Sequence, residues 1–522
     1  MQIKSAIILT WMVLGIQAFL LPLFYSQSPF FSGKSSERIE REDFNVWLNQ
    51  QKDIAFNHIL DNIGGISPVL NTKDVPVGVV IASPSKVHPN YFYQWIRDSA
   101  LTIRSLVYRL EDSDFTELNL ASTIESYIAN NYHLQRLDNW SGKLNVATGD
   151  YSGLGEPKFH ADLTAFKEVW GRPQTDGPGL RATTITIYLN SLEKHNRQPE
   201  HELLLSREFI YHEIVKPDLH YILQYWNSSG FDLWEEVNSM HFFTSITQLR
   251  ALKDGLALYE KYDNKDPELF EKLNATYENL KNYIVNESGY TQPGLPYIVE
   301  TPSLLYTGKR SGLDAATFLG ALHSHSLENK ELLDLYADIP FDVSESHILN
   351  SFRAMVADMK YRYPLNRYRP GWGVALGRYP EDIYDGYVTT EGNPWFISTA
   401  SVAEMLFRMV YKLNYYKEDL VISKEARDFY KQFIDLVGGD DNEDNEIIFP
   451  YGSPEFNAVS ANLADYADSF LEIIKDHVDD SGRMSEQFNK YSGYMQGAED
   501  LTWSYSSIWN CIRWRSKALE VL

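Results

Sequence analysis

Cysteine is almost missing from this 522-residue chain: Cys511 stands alone, so no intramolecular disulfide can form. A lone thiol is the habit of proteins kept in reducing compartments. Cationic residues are also in short supply, 47 Lys and Arg against 71 Asp and Glu for a net charge of −24. That balance argues against nucleic acid or an anionic membrane as partner and leaves a neutral ligand as the better fit. The 13 His are scattered, and neither they nor the cysteine fall at ligand spacing, so no metal is expected. Gly153-Leu154-Gly155 lacks a third glycine and a strand-to-helix setting, which excludes a phosphate-cradling loop; no cofactor is called for. Convincing strand patterns are few, and the usual solenoid repeats are not visible. No low-complexity block sets off a second domain, and nothing after Leu519 leaves room for a Ser/Thr-rich linker and a small β-sandwich.

What is present begins with apolar residues. They make up 44% of the chain, enough to bury one large core in a single domain. Aromatic residues reach 14%, with 12 Trp and 34 Tyr, a supply of flat apolar faces with polar edges. At the N-terminus Lys4 precedes an apolar run from Ala6 to Tyr25, followed by Ser26-Gln27-Ser28. This reads as a signal peptide or an uncleaved signal anchor within residues 1–28. A polar linker at 29–40 follows. Asn139, Asn227, Asn274 and Asn286 head Asn-x-Ser/Thr triplets, which suit a glycosylated product of the secretory pathway. The leader outweighs the cysteine count, so a secreted or vacuolar destination is expected.

Residues 41–522 read as one all-α domain. Helical spacing of apolar residues recurs at 44–59, 100–110, 118–137, 181–194, 206–226, 240–262, 267–285, 315–325, 346–361, 394–413, 424–437, 457–477 and 499–519, about a dozen segments. Helices alternate with short turns and with long Gly-, Pro- and aromatic-rich loops. Helix pairs stacked around a common centre and closed into a ring would let loops on one face converge on one site.

One such loop concentrates charge. Gly230-Phe231-Asp232-Leu233-Trp234-Glu235-Glu236-Val237 packs three carboxylates around a tryptophan. Like charges this close, beside an indole that excludes water, should hold one proton more tightly than a free side chain does, as general acid catalysis requires. A solvated acidic helix start is the plain structural alternative. A second acidic residue, Glu486, lies in the polar turn 480–489. Paired carboxyls hydrolyse glycosidic bonds, one protonating the leaving oxygen and the other activating water.

Several motifs then line up in order. They are Tyr91-Phe92-Tyr93-Gln94-Trp95-Ile96-Arg97-Asp98, Gly155-Glu156-Pro157-Lys158-Phe159, Trp170-Gly171-Arg172-Pro173-Gln174, the Asp232 loop, Gly377-Arg378-Tyr379-Pro380-Glu381-Asp382, Asn393-Pro394-Trp395-Phe396, Ser485-Glu486-Gln487-Phe488 and Leu501-Thr502-Trp503-Ser504-Tyr505. Together they resemble fungal glucoamylases of the yeast type, glycoside hydrolase family 15, over nearly the whole chain beyond the leader. The resemblance implies an (α/α)6 barrel of six inner and six outer helices. It implies exo-hydrolysis of α-1,4 and, more slowly, α-1,6 links at the non-reducing ends of starch, dextrins or glycogen, with release of β-glucose by inversion.

By the same resemblance Glu235 is the general acid and Glu486 the general base, with Asp232 supporting the acid electrostatically and structurally. Glu236 bonds the sugar on the leaving side, Arg97 and Asp98 bind the terminal glucose, and Arg378 binds the next sugar. Tyr91, Trp95, Trp170, Trp395 and Trp503 form the aromatic lining. For each aromatic the plain alternative is core packing, and for Arg97-Asp98 a structural salt bridge at a helix start. An inverting pair should stand roughly 6.5–9.5 Å apart. The chain departs from several filamentous-fungal members in lacking their cysteine pairs and an appended starch-binding domain, so soluble dextrins or glycogen are the expected substrates. A monomer with no obligate protein partner is expected. Two other readings stay open: another inverting α-glycosidase on a similar barrel, of trehalase or glucodextranase type, and a non-catalytic glucan-binding protein.

Overall fold

A computed structural model describes residues 41–66, 72–367, 373–436 and 446–522. The leader within 1–28 and the linker at 29–40 lie outside these residues. The chain divides into two compact units, residues 1–47 and 48–522. Of the first, the described part is the opening of helix α1 (Arg41–Asp61), where the rings of Phe44 and Trp47 stack 6.0 Å apart. Everything below concerns the second.

Eleven further long helices follow in this unit: α2 (Ile96–Asp112), α3 (Leu118–Gln135), α4 (Asp176–Lys194), α5 (Lys216–Tyr225), α6 (Phe242–Tyr262), α7 (Pro267–Asn282), α8 (Ala316–Ser324), α9 (Ser346–Arg362), α10 (Phe396–Tyr415), α11 (Pro454–His477) and α12 (Thr502–Val521). The even-numbered helices pack in sequence, α2 on α4, α4 on α6, α6 on α8, α8 on α10, α10 on α12, and α12 back on α2. This closes an inner ring. The odd-numbered ones cover it: α3 lies on α2, α5 on α4 and α6, α7 on α6, α9 on α8 and α11 on α10. On α1, the ring of Phe56 meets Trp509 of α12 at 5.4 Å. The architecture is an (α/α)6 barrel.

Burial patterns explain which helix goes where. On α7 the buried residues are Leu269, Leu273, Tyr277 and Leu280, one stripe at helical spacing, which suits a helix with one face on the core and one in water. On α10 nearly every residue from Phe396 to Asn414 is buried, as a helix enclosed on all sides demands. Gly320 lets α8 approach α6, since a Cβ there would meet Ile246 Cγ2 at 2.9 Å.

The expected helices are present with three differences. Segment 206–226 is interrupted by a π turn, Tyr211–Val215, just ahead of Pro217, because proline lacks an N–H and crowds the preceding turn. The helix expected from 181 starts at Asp176 instead, since Pro178 falls in the first turn, where its missing N–H has no helical acceptor. Among the described residues of the segment expected at 424–437, which end at 436, there is no long helix: Lys424–Ala426 is a 3-10 turn and Arg427–Tyr430 a single α turn, enough to bury Phe429 and Tyr430. Besides shorter helical turns, the described residues hold four two-stranded ribbons: β1 (Tyr93–Trp95) with β2 (Lys158–His160), β3 (Gly230–Phe231) with β4 (Asn238–Ser239), β5 (Leu420–Ile422) with β6 (Ile447–Phe449), and β7 (Gln487–Phe488) with β8 (Met495–Gln496). No described helix is long and apolar enough to cross a membrane.

Candidate active site

Inner helices start at one end of the barrel, and the loops that lead into them converge there. Arg97 and Asp98 open α2, Trp395 precedes α10, and Trp503 lies in the first turn of α12. A cavity of about 350 Å³ at this end is lined by Tyr91, Trp95, Arg97, Asp98, Trp170, Glu235, Glu236, Arg378, Trp395, Glu486 and Trp503, together with Trp234 and Tyr384. Eleven of the twelve residues expected to act on or bind the ligand therefore line one cavity. Asp232, the twelfth, sits behind it.

The acid-bearing turn is a β-hairpin connection. β3 and β4 pair Gly230 with Ser239 and Phe231 with Asn238, and the turn between them places Glu235 at φ 67°, a left-handed conformation costing a side chain with a Cβ roughly 1–2 kcal/mol. Asp232 holds that geometry. Its Oδ1 accepts the amides of Glu236 at 2.7 Å and Val237 at 2.9 Å, and its Oδ2 faces Lys309 at 3.2 Å. Burial alone would raise its pKa, but Lys309 and His241 with the two amides hold it below the ordinary value. Asp232 is an ionised brace.

Glu235 is less shielded than the sequence implies. The indole of Trp234 turns away and donates to Asp314 at 2.8 Å, while the Glu235 side chain keeps 16% of its exposure. Its Oε1 accepts from the Trp95 indole N–H at 2.6 Å and from Gln174 at 2.7 Å. The deeply buried carboxyl is Glu486. It accepts the Tyr91 hydroxyl at 2.9 Å and the Gln487 amide at 3.2 Å. Burial pushes it up to about 8, against the pull of Tyr91, Arg378 and Gln487. Of the two carboxyls, Glu486 is therefore the more deeply buried, and the indole beside Glu235 is not its shield. Trp234 had been counted as a shield by adjacency in sequence, but consecutive turn residues point in different directions.

At the wall formed by the start of α2, Arg97 bonds Gln174 at 3.0 Å and Asp176 at 3.1 Å, and its Nε lies 3.4 Å from Asp98 Oδ2. Neither of those last two atoms has a hydrogen-bond partner within the protein, nor has the buried indole N–H of Trp395. Burial pushes Asp98 up to about 6 although Arg97 draws it down. Across the cavity Arg378 grips Asp382 through two bonds of 2.8 and 2.6 Å and Glu236 through one of 2.7 Å; Tyr379 donates to the other oxygen of Glu236. Trp170 remains 37% exposed and covers the ammonium of Lys158, which lies 3.1 Å from its ring centre and 4.3 Å from that of Trp95.

Sequence reasoning missed several of these partners. Gln174 and Asp382 stood inside motifs already singled out, and bidentate Arg–carboxylate pairing could have suggested Asp382 four residues from Arg378. Lys309, Asp314 and Tyr384 carried no local signal. Among the described residues no group of three or more His, Cys, Asp or Glu could hold a metal ion.

Two carboxyls facing one cavity in a helical barrel, with a cationic and aromatic wall, define a glycoside hydrolase. A model of the glycosyl hydrolases family 15 matches residues 58–513. Glucoamylase GLU1 of Saccharomycopsis fibuligera is 39% identical over 95% of each chain, and an intracellular sporulation-specific glucoamylase of Saccharomyces cerevisiae is 38% identical over 91% of this chain and 85% of its own. The solved glucoamylase of Saccharomycopsis fibuligera superposes with TM-score 0.85 at 38% identity, covering 94% of this chain and 99% of that one. The family 15 glucoamylase of Hypocrea jecorina gives 0.78 at 30% identity, over 90% of this chain and 72% of that one. The chain belongs to glycosyl hydrolase family 15. Its activity is that of an exo-acting α-glucosidase of the glucoamylase kind, with α-glucans as substrate class; the trehalase, glucodextranase and non-catalytic readings are not favoured.

Proposed function

We propose that Glu235 is the general acid and Glu486 the general base of an inverting hydrolysis. Glu235 gives its proton to the glycosidic oxygen as the bond to the anomeric carbon breaks, and the electron pair stays with the leaving sugar. Glu486 takes a proton from the water that attacks the opposite face, so β-glucose is released. What carries the reading is that both carboxyls line one cavity whose lining residues also include Trp395 and the ion-paired Asp98 and Arg97, with Asp98 Oδ2, Arg97 Nε and the Trp395 N–H making no hydrogen bond within the protein. The hydroxyls of a terminal glucose supply partners for such atoms, and a ligand without them leaves the site unpaired. That favours chain ends over chain interiors.

Glu236 and Arg378, already joined to each other, bind the sugars on the leaving side, with Trp170 as an aromatic platform. Tyr91, Trp95, Trp395 and Trp503 line the glucose position, and Asp232 holds the acid turn. The substrates are starch, dextrins or glycogen. The chain enters the secretory pathway through its leader, followed by the linker at 29–40 and one catalytic domain, and acts as a secreted or vacuolar monomer. Exposed Asn227 and Asn274 are its best glycan acceptors, Asn139 and Asn286 poorer ones because their side-chain amides are engaged.

Glu235→Gln and Glu486→Gln variants assayed on maltotetraose test the roles. Each should lower kcat by about 10²–10⁴-fold; full activity in either would remove that residue from the mechanism. Isomaltose should be cleaved more slowly, and trehalose should be no substrate.

A further inference from the structure

Lys309 lies beneath the acid turn and outside the cavity lining. Its ammonium stands 3.2 Å from Asp232 Oδ2 and 3.0 Å from Asp314 Oδ2, and 3.9 Å from the ring centre of Tyr379. The lysine is 6% exposed. Each carboxylate spends its other oxygen on the same turn or its support: Asp232 Oδ1 receives the amides of Glu236 and Val237, while Asp314 Oδ1 receives the indole of Trp234 and the amide of Ala316. Trp234 and Glu236 are the neighbours of Glu235 on either side. One ammonium therefore ties together the two anchors between which the acid is held in its left-handed conformation.

We propose that Lys309 is a positioning residue for hydrolysis, fixing the acid turn through Asp232 and Asp314 without touching the substrate. The inference rests on Glu235 being the acid.

The groups around the cluster make the cation hard to replace. Facing Asp232 are Lys309, His241, Asp314 and Glu300. Burial lowers His241 below an ordinary imidazole, so of the two groups that draw Asp232 down it is the weaker, after Lys309. Glu300 is a carboxyl and can supply no positive charge in place of the lysine; burial raises it well above its ordinary value, and one of its oxygens has no hydrogen-bond partner. Burial raises Asp314 too, with Lys309 as the main opposing influence. Removing Lys309 leaves Asp232 and Asp314 buried and close together with no counter-ion, and one of them takes up a proton. A protonated Asp232 accepts the two turn amides less strongly, and the turn that carries Glu235 loosens.

The sign follows. Lys309 holds the Asp232 pKa down, so its loss raises it, and the variant should fail most at low pH and recover as Asp232 ionises.

The experiment compares Lys309→Met, Lys309→Arg and the Lys309→Met/Asp314→Asn double variant with the parent. Thermal unfolding and the pH dependence of kcat and of KM on maltotriose are measured for each. Lys309→Met should lose about 30- to 100-fold in kcat at pH 5, with KM within about threefold, and the loss should shrink as pH rises. Lys309→Arg, which keeps the charge, should recover most of the activity. The double variant loses one carboxylate along with the cation, so it folds where the single one does not, and it should show the same shift of the acid limb. A folded variant without the lysine but with parental kcat at every pH overturns the proposal, and so does a loss independent of pH. Glu235→Gln is run alongside: if it stays active the acid assignment falls, whereas an inactive Glu235→Gln beside a parental Lys309→Met removes Lys309 alone.

Discussion

Gly497 offers a sharp test of the base, because two independent constraints meet there. Its φ is +79°, a conformation that costs a residue with a Cβ about 1–2 kcal/mol. A Cβ built on it would stand 2.4 Å from Glu486 Oε2 and 3.2 Å from Glu486 Cβ, so the carboxyl must move. The ribbon limits where it can go: Glu486 donates its amide to Ala498 at 2.9 Å, and Gln487 pairs with Gln496. A Gly497→Ala chain should therefore lose little stability, because 1–2 kcal/mol moves Tm by only about 1–2 °C in a domain of this size. Its base would be displaced by on the order of 1 Å, which costs about 10²-fold in rate. The assay is kcat and KM on maltotriose beside calorimetry. Expected are a kcat lower by about 10²-fold, KM within about threefold, and near-parental Tm. A kcat within twofold of the parent would refute the reasoning that Glu486 must sit where the glycine lets it.

Tyr91→Phe removes a donor that favours ionised Glu486; the pKa of Glu486 rises, and the acid limb of kcat/KM should move to higher pH by on the order of half a unit. An unmoved limb in a folded variant would separate Glu486 from that limb. Acid stability has a different source. Burial would raise Glu328, but Arg513 and Lys517 hold it well below its ordinary value, so its contribution is complete above an unfolded pKa of about 4.3 and is lost as pH falls below that. Glu328→Gln should lower Tm at pH 7 and flatten the fall in Tm between pH 6 and 3; an unchanged slope would contradict this. Asn139 donates to the carbonyls of Leu137 and Gly153 at 3.2 and 2.9 Å and Asn286 to Asn282 Oδ1 at 2.8 Å, so mass spectrometry of the protein made in a glycosylating host should find more glycan at Asn227 and Asn274 than at Asn286, and little at Asn139. Full occupancy at Asn139 would show that this turn forms after glycosylation.

Much of this architecture was legible in sequence because the barrel has a simple period. The stripe of Leu269, Leu273, Tyr277 and Leu280 shows a helix by spacing alone, whereas which helices form the inner ring, such as 396–415 with its buried Glu404 and Arg408, shows only in the packing. The motifs that carry the candidate site were visible for another reason: they fall in loops and helix starts rich in Trp, Gly and charge, while the role of each residue came from the resemblance. What stayed hidden depends on distance in space. Lys309 and Asp314 lie far along the chain from Asp232 and Trp234, and no local pattern brings them together. The depth of Glu486 was hidden too, since a polar turn reads as solvated until Gly497 and Tyr91 are folded over it. Pro217 and Pro178 show the remaining kind of error, where one residue moves a helix boundary that apolar spacing cannot place.

The most direct measurement follows the anomer of the glucose freed from maltotetraose by proton NMR within the first minutes of reaction. Glu235 and Glu486 acting as acid and base across one water predict β-glucose first, with α-glucose appearing only as the sugar mutarotates. Initial release of α-glucose would mean a covalent intermediate and carboxyls too close for that water, and the assignment of the two residues would fall.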